Sequence, residues 1–78
     1  MMIEDIKKVI ADVLQTEASE ISDDSHLYDD LGVDSLMGLE ILVMLEEEFG
    51  IEIEEEQLDQ LITPIEIEKI IGSIVAVA

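Results

Sequence analysis

One serine stands out for chemistry. Ser35 lies in the run Gly32-Val33-Asp34-Ser35-Leu36, directly ahead of a strongly apolar stretch. An aspartate or serine in that place marks a helix N-terminus, because its side-chain oxygen accepts from backbone N–H groups that lack an intrahelical partner. The pattern predicts a helix over residues 35–49, and Gly32 permits the left-handed backbone that turns a loop sharply into it. A hydroxyl so placed is exposed and rigidly presented, and a phosphate attached to it would face free N–H donors and the positive end of the helix dipole. The same spacing also describes a serine that does no more than cap its helix, so the run alone leaves both readings open.

The other residues able to do chemistry offer little. His26 is the single histidine, nine residues before Ser35, and nothing in the spacing makes the two a catalytic pair; a capping or surface histidine is the simpler reading. Carboxylates abound, but in so acidic a chain their adjacency carries no message. A calcium loop begun at Asp24 would place His26 and Tyr28 at ligand positions, and one begun at Asp29 would place Leu31 and Val33 there, so the motif fails in both registers and no specific metal site is expected. The chain has no cysteine, which excludes a disulfide framework, a thiolate metal site and a thiol nucleophile. Any sulfur chemistry must arrive on an added group.

These residues must be positioned by one small domain, since 78 residues form a single modest core and leave little room for an enclosed catalytic cleft. No enzymatic activity is expected. Twenty-one acids face three bases, Lys7, Lys8 and Lys69, and residues 17–59 hold sixteen acids and no lysine or arginine. Such a field repels nucleic acid and anionic membranes and steers the molecule toward basic partner surfaces. No targeting signal and no run of about 18 apolar residues is present, so the expectation is a soluble, cytoplasmic, monomeric protein without stable membrane insertion.

Ile3, Ile6, Val9, Ile10, Val13 and Leu14 recur at helical spacing and predict an amphipathic helix over residues 3–15. Residues 16–34 read as a long polar loop, pinned across the core by Ile21, Leu27, Tyr28 and Leu31, with one helical turn at residues 28–31. In the second helix, at about 100° per residue, Leu42, Leu45 and Phe49 gather with Ile41 and Gly38 on a core face. Leu36, Glu40, Val43 and Glu47 form the opposite stripe, with Met37 and Met44 on its flank. A mixed apolar and acidic stripe running away from Ser35 has the character of a docking surface; isolated exposed apolar residues are its plainer explanation. Gly50 ends the helix. Ile51 to Glu54 alternate like a strand but have no partner strand, so an extended connector is expected, followed by a short helix over residues 55–61 burying Leu58 and Leu61. Thr63 with Glu66 forms a capping box, Pro64 takes the favoured first position, and Ile67, Ile70, Ile71 and Ile74 supply the last core stripe.

The order of these features resembles an acyl carrier protein over essentially the whole chain. The resemblance rests on Leu31-Gly32-Val33-Asp34-Ser35-Leu36, on the helix end Leu45-Glu46-Glu47-Glu48-Phe49, and on the size and charge. It implies an all-α four-helix bundle, a single acyl carrier domain over residues 1–78, with a long loop between helices one and two and a short third helix. It implies that Ser35, flanked by Asp34 and Leu36, accepts 4'-phosphopantetheine from coenzyme A through a separate, magnesium-dependent phosphopantetheinyl transferase. The thiol of that arm would carry acyl groups as thioesters for fatty acid, lipid or polyketide-type synthesis. Asp34, Glu40, Glu46 and Glu47 would meet basic patches on acyl-loading, elongating or transferring enzymes, with Leu36, Met37, Val43 and Met44 beside them. Gly38, Ile41, Leu42, Leu45, Ile53, Leu58 and Leu61 would line the acyl pocket.

Two residues depart from the housekeeping pattern. Carriers of fatty acid synthesis commonly have an acid two positions after the serine, where this chain has Met37, as many polyketide-type carriers do. At Gly38, glycine costs roughly 1 kcal/mol against alanine in a helix interior; a wider entrance to the acyl pocket, a softened helix start and simple close packing are the readings open for it. The expectation is a stand-alone acyl carrier; a peptidyl or D-alanyl carrier, and an acidic interaction module with no prosthetic group, are the alternatives.

Overall fold

The computed structural model describes residues 2–77, with the side chains of residues 55, 58, 59, 76 and 77 outside the description. Three α-helices, α1 (Met2–Leu14), α2 (Ser35–Phe49) and α3 (Pro64–Val77), are joined by two connections, each holding a short 3-10 helix, Ala18–Glu20 and Glu55–Gln60. There is no strand among the described residues. The expected four-helix bundle is therefore corrected to three α-helices. The short third helix exists at the expected place but is wound as a 3-10 helix, which is favoured where a run of six residues is too short for i→i−4 bonds to become cooperative.

α1 is the element that both other helices pack against. Its Ile3, Ile6, Val9, Ile10 and Ala11 are buried, and its exposed residues Glu4, Lys8 and Asp12 are all charged, as an amphipathic helix wedged between two neighbours requires. It stops at Leu14, one residue short of the predicted end. Gln15 takes the left-handed conformation (φ +57°), and the Thr16 N–H donates to the Ala11 carbonyl at 2.9 Å, a Schellman-type closure made without glycine.

The long connection is pinned largely as expected, with two differences. Ile21 and Leu27 are buried and Leu31 is half-buried, but Tyr28 is 42% exposed, and Val33, unassigned in the sequence pattern, is buried. The expected helical turn at residues 28–31 is a hydrogen-bonded turn, in which the Asp30 and Leu31 N–H groups both donate to the His26 carbonyl, at 2.8 and 3.1 Å. Backbone bonds tie this segment to the approach to α3: Leu27 N–H to the Ile62 carbonyl at 2.8 Å and Ile65 N–H to the Asp23 carbonyl at 3.0 Å. The Lys7 ammonium pairs with the Asp23 carboxylate, linking the loop to α1 as well.

Gly50 ends α2 in a left-handed conformation (φ +63°), as expected. Beyond it the extended connector has no partner strand among the described residues, and one of its backbone donors is satisfied by a side chain: the Ile53 N–H donates to Glu46 Oε2 at 2.9 Å. α3 begins on a buried Pro64, with the Glu66 N–H donating to Thr63 Oγ1 at 3.2 Å, which is the Thr63 half of the predicted capping box. Ile67, Ile70 and Ile71 complete the core, with Ile74 partly buried against it.

Candidate functional site

The residues of interest converge where the long connection enters α2. Val33 anchors the chain there: its side chain is buried and its N–H donates to the Leu27 carbonyl at 2.9 Å. Gly32 before it sits at φ +70°, a conformation that a residue with a Cβ adopts only under strain, and this is the turn that brings the loop onto the helix. Asp34 then makes the cap. Its Oδ1 accepts from the Met37 N–H at 2.8 Å, and its carbonyl accepts from the Gly38 N–H at 2.8 Å.

Asp34 therefore supplies the cap that the sequence pattern left open between two oxygens, and Ser35 is left as the first helical residue. Its side chain is exposed, and its hydroxyl has no hydrogen-bond partner among the described residues. The Ser35 and Leu36 amides are among the donors that a helix start leaves without an intrahelical acceptor. An oxygen presented in this way suits the attachment of a phosphate ester, because the free backbone N–H donors of a helix start favour an anion there.

Among the described residues, no acid or histidine is hydrogen-bonded to that hydroxyl. One Asp34 carboxylate oxygen, Oδ1, is engaged in the cap. His26 is committed to its own turn, with Nδ1 accepting from the Asp29 N–H at 3.0 Å and its backbone N–H donating to Asp30 Oδ2 at 2.9 Å. Among the described residues, no group of three or more acids or histidines is placed to hold a metal ion, and no helix is long and apolar enough to cross a membrane.

The outer face of α2 carries Leu36 at 67% exposure, Val43 at 45%, and Glu40 and Glu47, both exposed. Leu39, 51% exposed, joins them. The sequence pattern contained the signal for it: at about 100° per residue, Leu39 falls between Leu36 and the Glu46 side of the wheel, within the outer stripe. Leu36, Leu39, Glu40, Val43 and Met44 border one shallow, open and almost wholly apolar depression. Met37 and Met44 are half-buried and rest partly on the core. Glu46 lies half-buried with one oxygen already bonded to Ile53, so its place in the acidic row is partly structural.

On the inner side, Ile41, Leu42, Leu45, Ile53 and Leu61 come together in one buried cluster. The side chain of Leu58, expected beside them, lies outside the described residues. Gly38 is half-buried at the rim, and a Cβ built on it would lie 3.1 Å from Tyr28 Oη. Close packing at this glycine thus has a definite partner, which the sequence could not name.

Comparison with known proteins adds three observations. A family model described as a phosphopantetheine attachment site matches residues 4–71. The polyketide-8 synthase acyl carrier protein 2 of Streptomyces avermitilis is 43% identical over 58 residues, 74% of this chain and 67% of that protein; the acyl carrier protein of Solidesulfovibrio magneticus is 43% identical over 58 residues, 74% of each. Among solved structures, one assigned as an acyl carrier protein from Mycobacterium tuberculosis superposes with a TM-score of 0.85 at 30% identity, covering 94% of this chain and 97% of that one.

Proposed function

This chain belongs to the acyl carrier proteins, small non-enzymatic carriers built on a phosphopantetheine attachment domain, and we propose on that premise that Ser35 is the residue that bears the arm. The observation that carries this reading is the division of labour at the start of α2: Asp34 caps the helix, and Ser35 keeps a free, exposed hydroxyl. When attached, 4'-phosphopantetheine supplies the thiol that a chain without cysteine lacks, and with it thioester chemistry. In the loading step the Ser35 oxygen forms a bond to phosphorus, the pyrophosphate linkage of coenzyme A breaks, and the phosphorylated adenosine leaves. The proton of the hydroxyl goes to a base on the transferase.

The rest of α2 divides into two roles. Leu36, Leu39 and Val43, with Glu40 and Glu47 around them and Met37 and Met44 at the flank, form the surface that the transferase and acyl-handling enzymes dock on through basic patches. Apolar contacts supply affinity at the centre of such a surface, and the acids supply steering and register. Glu46 and Asp34 add charge to it while holding backbone donors of their own. Ile41, Leu42, Leu45, Ile53 and Leu61, with Leu58 and Gly38, shelter the cargo. We assign the carrier to acyl chemistry of the fatty acid, lipid or polyketide type, acting as a cytoplasmic monomer; Met37 in place of an acid and the polyketide relative favour the last of these.

Incubation with coenzyme A, magnesium and a broad-specificity phosphopantetheinyl transferase, followed by mass spectrometry, tests the assignment. Wild type should gain one phosphopantetheine adduct and Ser35→Ala none. A wild type that stays unmodified, or a Ser35→Ala variant that is still modified, overturns it.

A further inference from the structure

Tyr28 and Gly38 fit each other in a way that neither the cap nor the docking face explains. A Cβ on Gly38 would lie 3.1 Å from Tyr28 Oη and 3.9 Å from both Cε1 and Cζ. The hydroxyl edge of the phenol thus closes tightly on position 38, and a side chain there would make it give by a few tenths of an ångström. Positions three apart on a helix are neighbours on one face, with Cβ atoms about 5–6 Å apart, so this notch lies one turn beyond Ser35. Continuing along the same side of α2, Ile41, Leu42 and Leu45 are buried in the core. Gly38 is the threshold between the Ser35 end of the helix and that apolar stripe, and the Tyr28 ring lies across it.

The ring is held far less firmly than its backbone. Leu27 is buried with its N–H bonded to the Ile62 carbonyl, and the turn that follows is closed onto the His26 carbonyl. The phenol itself is 42% exposed, meets the His26 ring edge-on with centroids 6.2 Å apart, and its hydroxyl has no hydrogen-bond partner among the described residues. A rotation about the side chain would clear the notch without breaking a backbone bond.

We infer that Tyr28 is a specificity-determining residue for the cargo, a movable cover over the Gly38 notch that an apolar chain entering the core from the Ser35 end displaces. The inference rests on the reading of Ser35 as the attachment point. Only an apolar chain gains by leaving water for the Ile41–Leu45 stripe, so the polar arm alone leaves the cover closed and short acyl groups lift it less than long ones.

The chain has one tyrosine and no tryptophan, so its tyrosine emission reports this side chain alone. Acrylamide quenching of that emission is measured on the unmodified, phosphopantetheinylated, butyryl and dodecanoyl forms, each verified by mass. The first two should quench alike, butyryl slightly more, and dodecanoyl roughly twice as steeply. As a second measurement, the rise in melting temperature from the phosphopantetheinylated to the dodecanoyl form should be larger in Tyr28→Ala, which has no cover to displace, than in wild type. Correctly loaded forms that quench identically, or an equal rise in the two proteins, overturn the cover. A missing adduct mass overturns the Ser35 reading, and the cover with it.

Discussion

α1 and α2 are close in length, 13 and 15 residues, and opposite in how they place their apolar side chains. Every exposed residue of α1 is charged, and its apolar residues face the core. α2 buries Ile41, Leu42 and Leu45 but leaves Leu36, Leu39 and Val43 in water. The cause is topological. α1 lies against both other helices, whereas the packing of α2 is chiefly against α1, on one side. Apolar residues on α1 are thus accounted for by the fold, while those on the far side of α2 are not, and they are the ones available to a partner.

The comparison breaks first at α1. Ile10→Ala, at a fully buried position, should cost about 2–5 kcal/mol of unfolding free energy in urea titrations, through lost transfer energy and the cavity left behind. A cost below that of the cap variant Asp34→Ala would mean that α1 is not the centre of the core. Glu46→Ala should cost about 1.5 kcal/mol, since the half-buried Ile53 N–H loses a charged acceptor; amide hydrogen exchange at Ile53 should speed up more than at its neighbours, and uniform exchange would rule out that bond. Asp34→Ala should cost about 1 kcal/mol, the usual value of an N-cap, while Ser35→Ala should leave stability nearly unchanged. Comparable losses in the two would show that both oxygens share the cap.

The smallest effect on stability is expected on the outer face, and it sharpens the contrast most. Leu39→Ala should change unfolding free energy by no more than about 0.5 kcal/mol, as exposed substitutions do. The KM for the protein as substrate of a phosphopantetheinyl transferase should nevertheless rise several-fold. A destabilised Leu39→Ala variant with unchanged KM would return Leu39 to the fold and remove it from the docking surface.

Much of the molecule was legible from side-chain periodicity. The recurrence of Ile3, Ile6, Val9 and Ile10 located α1 and its buried face, and Thr63-Pro64 with Glu66 located the start of α3, because both are patterns within a few residues along one element. The two faces of α2 were also readable, although Leu39 was overlooked on the outer one. The hand-off of the cap from Ser35 to Asp34 was not readable, since adjacent oxygens have equal capping chemistry and only the backbone at Asp34 (φ −102°, ψ −178°) decides which one meets the Met37 N–H. The burial of Val33 was likewise hidden: it is a single apolar residue in a polar stretch, where no period exists to assign a side.

By itself, then, the sequence determined the helices, the acidic surface, the absence of any thiol and the serine at a helix start, all of which follow from residue type and local spacing. Tertiary structure alone decided what surrounds that serine. The free hydroxyl depends on the course of the loop through Gly32 and Val33, the Glu46 to Ile53 bond on the reversal at Gly50, and the meeting of Tyr28 with Gly38 on how the long connection lies against α2. Each joins residues separated by a turn or loop whose path is set by burial elsewhere in the core, and for that reason no local pattern encodes it.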